Sequence, residues 1–120
     1  MIVGIGVDLV EMDRMEKIIA DKPKFVERVL TVAEFTRFKE LKGRRQCEYL
    51  AGRFACKEAF SKAYGTGIGK VGLKDIEILS ADNGRPLMTK SPFNGRVHVS
   101  ISHTDTTAIG QVILEEIAGG

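Results

Sequence analysis

The chain is poor in the residues that announce several protein classes. It has two cysteines, Cys47 and Cys56, and no tryptophan. Two thiols are too few for a disulfide framework and lack zinc-ligand spacing, so they read as reduced structural residues of a cytosolic protein. Only three prolines occur, with no Pro/Ser-rich linker, internal repeat or low-complexity run, which argues against disorder. No stretch approaches the roughly 20 apolar residues of a membrane span, and the apolar N-terminus meets Asp8 too early for a signal peptide. The net charge of +2 falls far short of a nucleic-acid-binding footprint, and no aromatic-basic motif of a binding module is present, so nucleic acid is not an expected partner. What is present, 120 residues of which 43% are apolar and 28% charged, fits one globular domain over residues 1–120. A chain of that size needs a second subunit to build a deep cleft.

The charge is unevenly spread. From Arg14 to Lys62 there are thirteen basic residues and seven acids, so helices in the first half could face an anionic partner or simply a solvated surface.

Val3, Ile5 and Val7 alternate with Gly4, Gly6 and Asp8, the period of a strand with one apolar face and one face of two glycines and an acid. The glycine face is expected to leave room beside the backbone. From Leu9 to about Ala20 the pattern turns helical, and Pro23 breaks it. A short helix follows through Phe25, Val26 and Val29. Thr31 and Glu34 have capping-box spacing, so another helix is expected from there to near Gly43. The longest helix is expected from about Arg45 to Tyr64, ending in a glycine-rich exit at Gly65, Gly67 and Gly69. Ile76 and Ile78, the turn Asp82 to Pro86, Leu87 and Met88, then Val97 to Ile101 and Ala108 to Leu114, supply strands. The fold class is therefore α+β, with a largely antiparallel sheet packed on a long helix.

On that helix Tyr49, Gly52, Cys56, Ala59, Phe60 and Ala63 form the expected core face, while Ala51, Ala55, Glu58 and Lys62 form a second stripe. Glu58 and Lys62 could be a surface ion pair, but the two alanines would let something approach the helix closely. Phe54 belongs to neither side and could meet the sheet or a partner. Asp8 and Glu58 offer hard oxygen ligands without a His/Cys cluster, which suggests Mg²⁺ and phosphoryl chemistry; a purely structural network is the alternative. No P-loop and no GxGxxG fingerprint is present. His103 closes a strand and could be a hydrogen-bond donor to a phosphate, a proton carrier near neutral pH, or a satisfied strand-end residue.

Four segments together resemble one family: "GIGVDLVE" at 4–11, "RFACKEAFSKAYGTG" at 53–67, "NGRP" at 83–86 and "VSISHT" at 99–104. They are similar to bacterial holo-acyl-carrier-protein synthases, which are 4'-phosphopantetheinyl transferases, in order and over nearly the whole chain. Cys56 replaces the family's usual alanine. The resemblance implies Mg²⁺ on Asp8 and Glu58, holding the pyrophosphate of coenzyme A, with Lys62 on the phosphates as a third catalytic residue. A carrier-protein serine then attacks the β-phosphate and 3',5'-ADP leaves. The proton acceptor stays open between Glu58 and a water on the metal.

The resemblance further implies coenzyme A contacts at Arg53 and Gly65. Asn83, Gly84, Arg85 and Pro86, with His103 and Thr104, would serve the nucleotide of a neighbour in a homotrimer. An acidic acyl carrier protein would dock on Arg14, Lys17, Lys24 and Arg28 around Met15 and Phe25, with Arg45 and Phe54 adding to that surface. Two other classes fit the same residues. A Mg²⁺-dependent phosphohydrolase would use the carboxylates, and a non-catalytic adaptor for acidic helical proteins would use only the basic helices.

Overall fold

The computed structural model of the chain describes residues 1–65 and 71–117, so Gly67 and Gly69 of the expected helix exit lie outside the described residues. Strand β1 (Ile2–Glu11) opens the chain. It runs past Asp8, and helix α1 (Met12–Asp21) begins at Met12 rather than at Leu9 as expected. The reason is tertiary: Leu9, Val10 and Glu11 pair with Ile109, Ala108 and Thr107, and that ladder outweighs a helical apolar period.

Helix α2 (Pro23–Val29) starts on Pro23, whose missing N–H costs nothing in a first turn. Helix α3 (Val32–Glu40) carries the expected capping box. The Thr31 N–H donates to Glu34 Oε1 at 2.9 Å, and the Glu34 N–H donates to Thr31 Oγ1 at 3.3 Å. Helix α4 (Arg44–Tyr64) stops at Gly65, which takes a φ of 82° and returns its N–H to the Ser61 carbonyl at 3.0 Å.

Among the described residues four strands follow: β2 (Glu77–Ser80), β3 (Pro86–Lys90), β4 (Arg96–His103) and β5 (Thr107–Glu115). Strands β1, β5 and β4 form an antiparallel sheet in that order, and β2 and β3 form a separate hairpin. The fold is α+β with a long helix across an antiparallel sheet, as expected.

Strand β1 has the two expected faces, but the glycine face is not the open one. Ile5, Val7 and Leu9 point outward and are 63%, 47% and 64% exposed. The glycines point inward, and the space beside them is filled by α4 rather than left open. A Cβ on Gly6 would run into the Ala59 carbonyl and one on Gly4 into that of Ala63; on β5, one on Gly110 would lie 2.6 Å from the Cys56 nitrogen. Helix and sheet thus meet backbone to backbone. Asp8, on the same face as Gly4 and Gly6, is carried against α4.

Helix α4 is buried on nearly every side, which corrects the two-stripe reading. Ala51 and Ala55 are fully buried and pack in a core with Val10, Met12, Met15, Val26 and Leu50. A helix enclosed all round has no solvent stripe to show in its sequence.

One polar contact within this core was not legible in advance. The Lys57 ammonium donates to Glu34 Oε1 at 2.6 Å and to the Val29 carbonyl at 2.7 Å, with both charged side chains fully buried. Glu34 Oε2 accepts the Ile78 N–H at 2.8 Å, so one carboxylate ties α3, α4 and β2 together. Burial pulls the Lys57 pKa below the ordinary lysine range, and the Glu34 charge opposes that pull.

Candidate functional site

Three of the expected residues converge where β1 crosses the last two turns of α4. The Lys62 ammonium donates to Asp8 Oδ1 at 2.9 Å and to the Val7 carbonyl at 3.1 Å. The helix-surface pair with Glu58 that the spacing also allowed is therefore not the contact Lys62 makes. Glu58 is half-buried one turn earlier on α4. Burial, and then the charge of Asp8, push its carboxyl above the usual carboxylate range; Lys62 and Arg14 pull the other way. Ionised Glu58 is thus held in an environment that disfavours its charge, and a cation between the two acids would relieve that.

Mg²⁺ takes one or two protein carboxylates and completes its shell with water and phosphate oxygens. The Asp8 and Glu58 carboxylates, with the Val7 carbonyl beside them, are such a hard-oxygen set. Among the described residues, no group of three or more His, Cys, Asp or Glu side chains forms a metal cluster.

A second feature lies elsewhere on the chain. A cavity of 340 Å³ is lined by Arg37, Arg45, Arg53, Gly84, Pro86 and His103, among others, but by none of Asp8, Glu58 and Lys62. Three guanidinium groups on one cavity make a seat for anions. Arg53 is the best fixed of them. Its Nε donates to the Ile78 carbonyl and its Nη2 to Ser80 Oγ, both at 3.2 Å, and its guanidinium stacks 4.0 Å from the Tyr49 ring centre. The Tyr49 hydroxyl is buried and has no hydrogen-bond partner among the described residues.

His103 Nδ1 is 4.0 Å from Glu48 Oε2, and its ring is partly exposed. The Asn83 side chain accepts the Arg85 N–H at 3.0 Å, and Gly84 takes a φ of 86°, so the turn presents backbone to the cavity. Thr104 Oγ1 accepts the N–H groups of Thr106 and Thr107, each at 3.2 Å, and so braces the β4–β5 turn. Arg37 and Tyr49 also line this cavity; a helix arginine and a core-face tyrosine carry no motif that would single them out in the sequence.

The expected carrier surface is split. Arg14, Lys17, Ile18, Asp21, Lys22 and Phe25 line a groove of 450 Å³ along α1 and α2. Lys24 and Arg28 lie exposed on α2. Met15 does not belong to this surface, since it is fully buried on the inner side of α1. Phe54 is only 6% exposed and supports the groove from beneath: its ring meets Phe25 edge-on at 6.1 Å and Arg14 lies 5.6 Å above it. It shares the core cluster of Val10 on β1 and Ala108 on β5. Arg45 lines the three-arginine cavity and not the groove.

Comparison with known proteins agrees with this geometry. Residues 4–114 match the model of the 4'-phosphopantetheinyl transferase superfamily. A holo-[acyl-carrier-protein] synthase of Enterococcus faecalis is 58% identical over 115 residues, 96% of this chain and 98% of that protein. One from Latilactobacillus sakei is 56% identical over the same shares. A crystal structure of a holo-(acyl-carrier-protein) synthase from Bacillus anthracis, in complex with CoA (3',5'-ADP), superposes with a TM-score of 0.91 at 50% identity. That match covers 98% of this chain and 99% of that one. With a family match from Gly4 to Leu114 and full-length relatives above half identity, the chain belongs to the 4'-phosphopantetheinyl transferase superfamily.

Proposed function

We infer that this chain transfers the 4'-phosphopantetheine group of coenzyme A to a serine of an apo-acyl carrier protein, releasing 3',5'-ADP. The observation that carries this reading is the meeting of Asp8 and Lys62 beside Glu58, at the point where two family motifs cross. Asp8 and Glu58 would hold Mg²⁺, whose charge, when bound, neutralises the pyrophosphate being cleaved. Lys62 would hold a phosphate oxygen and so help orient that group for in-line attack by the serine hydroxyl. The whole span 1–120 would act as one transferase domain. Two buried free thiols are in keeping with a cytosolic setting, and burial pushes the Cys56 pKa up to about 12.

The test is direct. The protein is mixed with coenzyme A, Mg²⁺ and apo carrier protein, and the carrier is weighed by mass spectrometry. A phosphopantetheine adduct supports transfer. Release of phosphate products without an adduct would point to a phosphohydrolase, and unchanged carrier in a Mg²⁺-independent complex would point to an adaptor.

The carboxylate site and the three-arginine cavity are separate within one chain, and the outward face of β1 is apolar. We propose that copies close on that face as a homotrimer, so that Arg53, His103 and the Asn83–Pro86 turn of one copy receive the nucleotide held at Asp8 of the next. A Leu9→Arg substitution, at a position 64% exposed in the chain, places a charge in that contact. Sedimentation should then show monomer, with native circular dichroism and transfer reduced by about 100-fold, the range expected when substrate loses its positioning groups. A variant that stays trimeric, or a fully active monomer, would overturn the shared site.

The groove along α1 and α2 is proposed as the carrier seat, because Arg14 links it to Glu58 through their mutual attraction. Arg14→Glu should raise the KM for carrier by about tenfold through lost charge complementarity, and leave the KM for coenzyme A nearly unchanged. Steady-state kinetics with each substrate varied separately would check this.

A further inference from the structure

We propose that Lys62 is an exchangeable occupant of the carboxylate pair: its ammonium holds the Asp8 oxygen that a divalent cation takes, and moves to the substrate phosphate when that cation arrives. The proposal rests on the reading of Asp8 and Glu58 as metal ligands.

Three observations carry it. First, Lys62 Nζ contacts two hard oxygens of β1, Asp8 Oδ1 at 2.9 Å and the Val7 carbonyl at 3.1 Å, which are the kind of donor a divalent cation seeks. Ammonium and metal therefore compete for the same atom. Second, the two ends of the pair differ in freedom. The Lys62 side chain is 56% exposed, whereas that of Asp8 is 20% exposed and fixed on a strand packed against α4. Lysine is a compact charge on a flexible stem, so the lysine is the partner that can leave.

Third, the charges require it. Two carboxylates share the Lys62 ammonium, and Arg14 offsets part of the Glu58 charge, so the carboxylate oxygens remain a negative locus that attracts a cation and repels a pyrophosphate. A divalent cation reverses that sign, and an ammonium still bonded to Asp8 would then be repelled by its new neighbour. Released, Lys62 turns its donors to an incoming phosphate. Metal loading and phosphate capture become coupled through one side chain, and such coupling is reciprocal.

Mn²⁺ serves as the probe, its free concentration followed by electron paramagnetic resonance during titration of the full chain without nucleotide. Lys62→Met should bind Mn²⁺ about tenfold more tightly than the native chain, as expected for removing a competing unit charge at this range. Arg14→Gln is the control, because it removes a cation near Glu58 without freeing an Asp8 oxygen; its gain should be clearly smaller. Equal gains in the two variants, or no gain in Lys62→Met, would overturn the exchange and reduce Lys62 to a fixed local charge. Asp8→Asn should lose Mn²⁺ binding. If Asp8→Asn binds Mn²⁺ as tightly as the native chain, the metal-site reading itself fails, a result distinct from failure of the exchange.

Discussion

Asp8→Asn should abolish phosphopantetheine transfer, with a loss of about 10³-fold or more, while the chain remains folded. Phosphoryl transfer is catalysed almost wholly by positioning and charge, so removing one of two carboxylates removes much of what the site supplies. The amide is nearly isosteric and the side chain is not in the core, so no cavity or clash follows. Stability should hold or rise slightly. The substitution removes a charge that pushes the Glu58 carboxyl upward, and the exposed Lys62 contact it sacrifices is of the kind that contributes little. A site that costs stability and returns activity is common where like charges are gathered for function. The check is a mass-spectrometric transfer assay beside a thermal melt of the same preparation. Near-native transfer by Asp8→Asn would sink the assignment.

The second large effect concerns folding. Lys57→Met should destabilise the chain by about 3–5 kcal/mol, the range for stripping one partner from a buried ion pair. The methionine stem fills much of the lysine's volume, so lost packing is a minor part. What remains is the Glu34 carboxylate, fully buried and without its counter-charge, together with a Val29 carbonyl that has lost its donor. Glu34→Gln added to Lys57→Met should recover a substantial part of the loss, because the amide oxygen can still accept the Thr31 or Ile78 N–H without carrying a charge. Urea unfolding of the two variants and the native chain gives the comparison. A single-variant loss below about 1 kcal/mol would show that Glu34 is neutralised or rehydrated in the variant.

The Thr31–Glu34 cap, the Gly65 stop and the turn through Gly84 were legible because each is a local matter, decided by a few neighbouring residues. Asp8, Glu58 and Lys62 were legible because two carboxylates and a lysine among small residues are chemically unusual. The orientation of β1 was not. Alternation separates two faces without saying which is inward, and the glycine face was expected to leave room beside the backbone. Where a long helix lies directly on the strand, the glycine side is the inner one. Met15 and Lys57 show the same limit from opposite sides. Met15, read as part of an apolar contact inside a basic docking rim, and Lys57, one of thirteen basic residues read as facing either an anionic partner or solvent, are both fully buried. Only the tertiary contacts of α1 and α4 decide either case.

The glycine contact also bears on how the chemistry is held in register. Because α4 rests on main-chain atoms of β1 and β5 at Gly4, Gly6 and Gly110, no side-chain rotamer intervenes between the strand bearing Asp8 and the helix bearing Glu58. The spacing of the two backbones is a ruler cut in polypeptide, fixed by van der Waals radii rather than by the softer geometry of packed side chains. Changes on the α1–α2 groove, the outer sheet face or the arginine cavity can therefore leave the spacing of the Asp8-bearing strand and the Glu58-bearing helix unaltered.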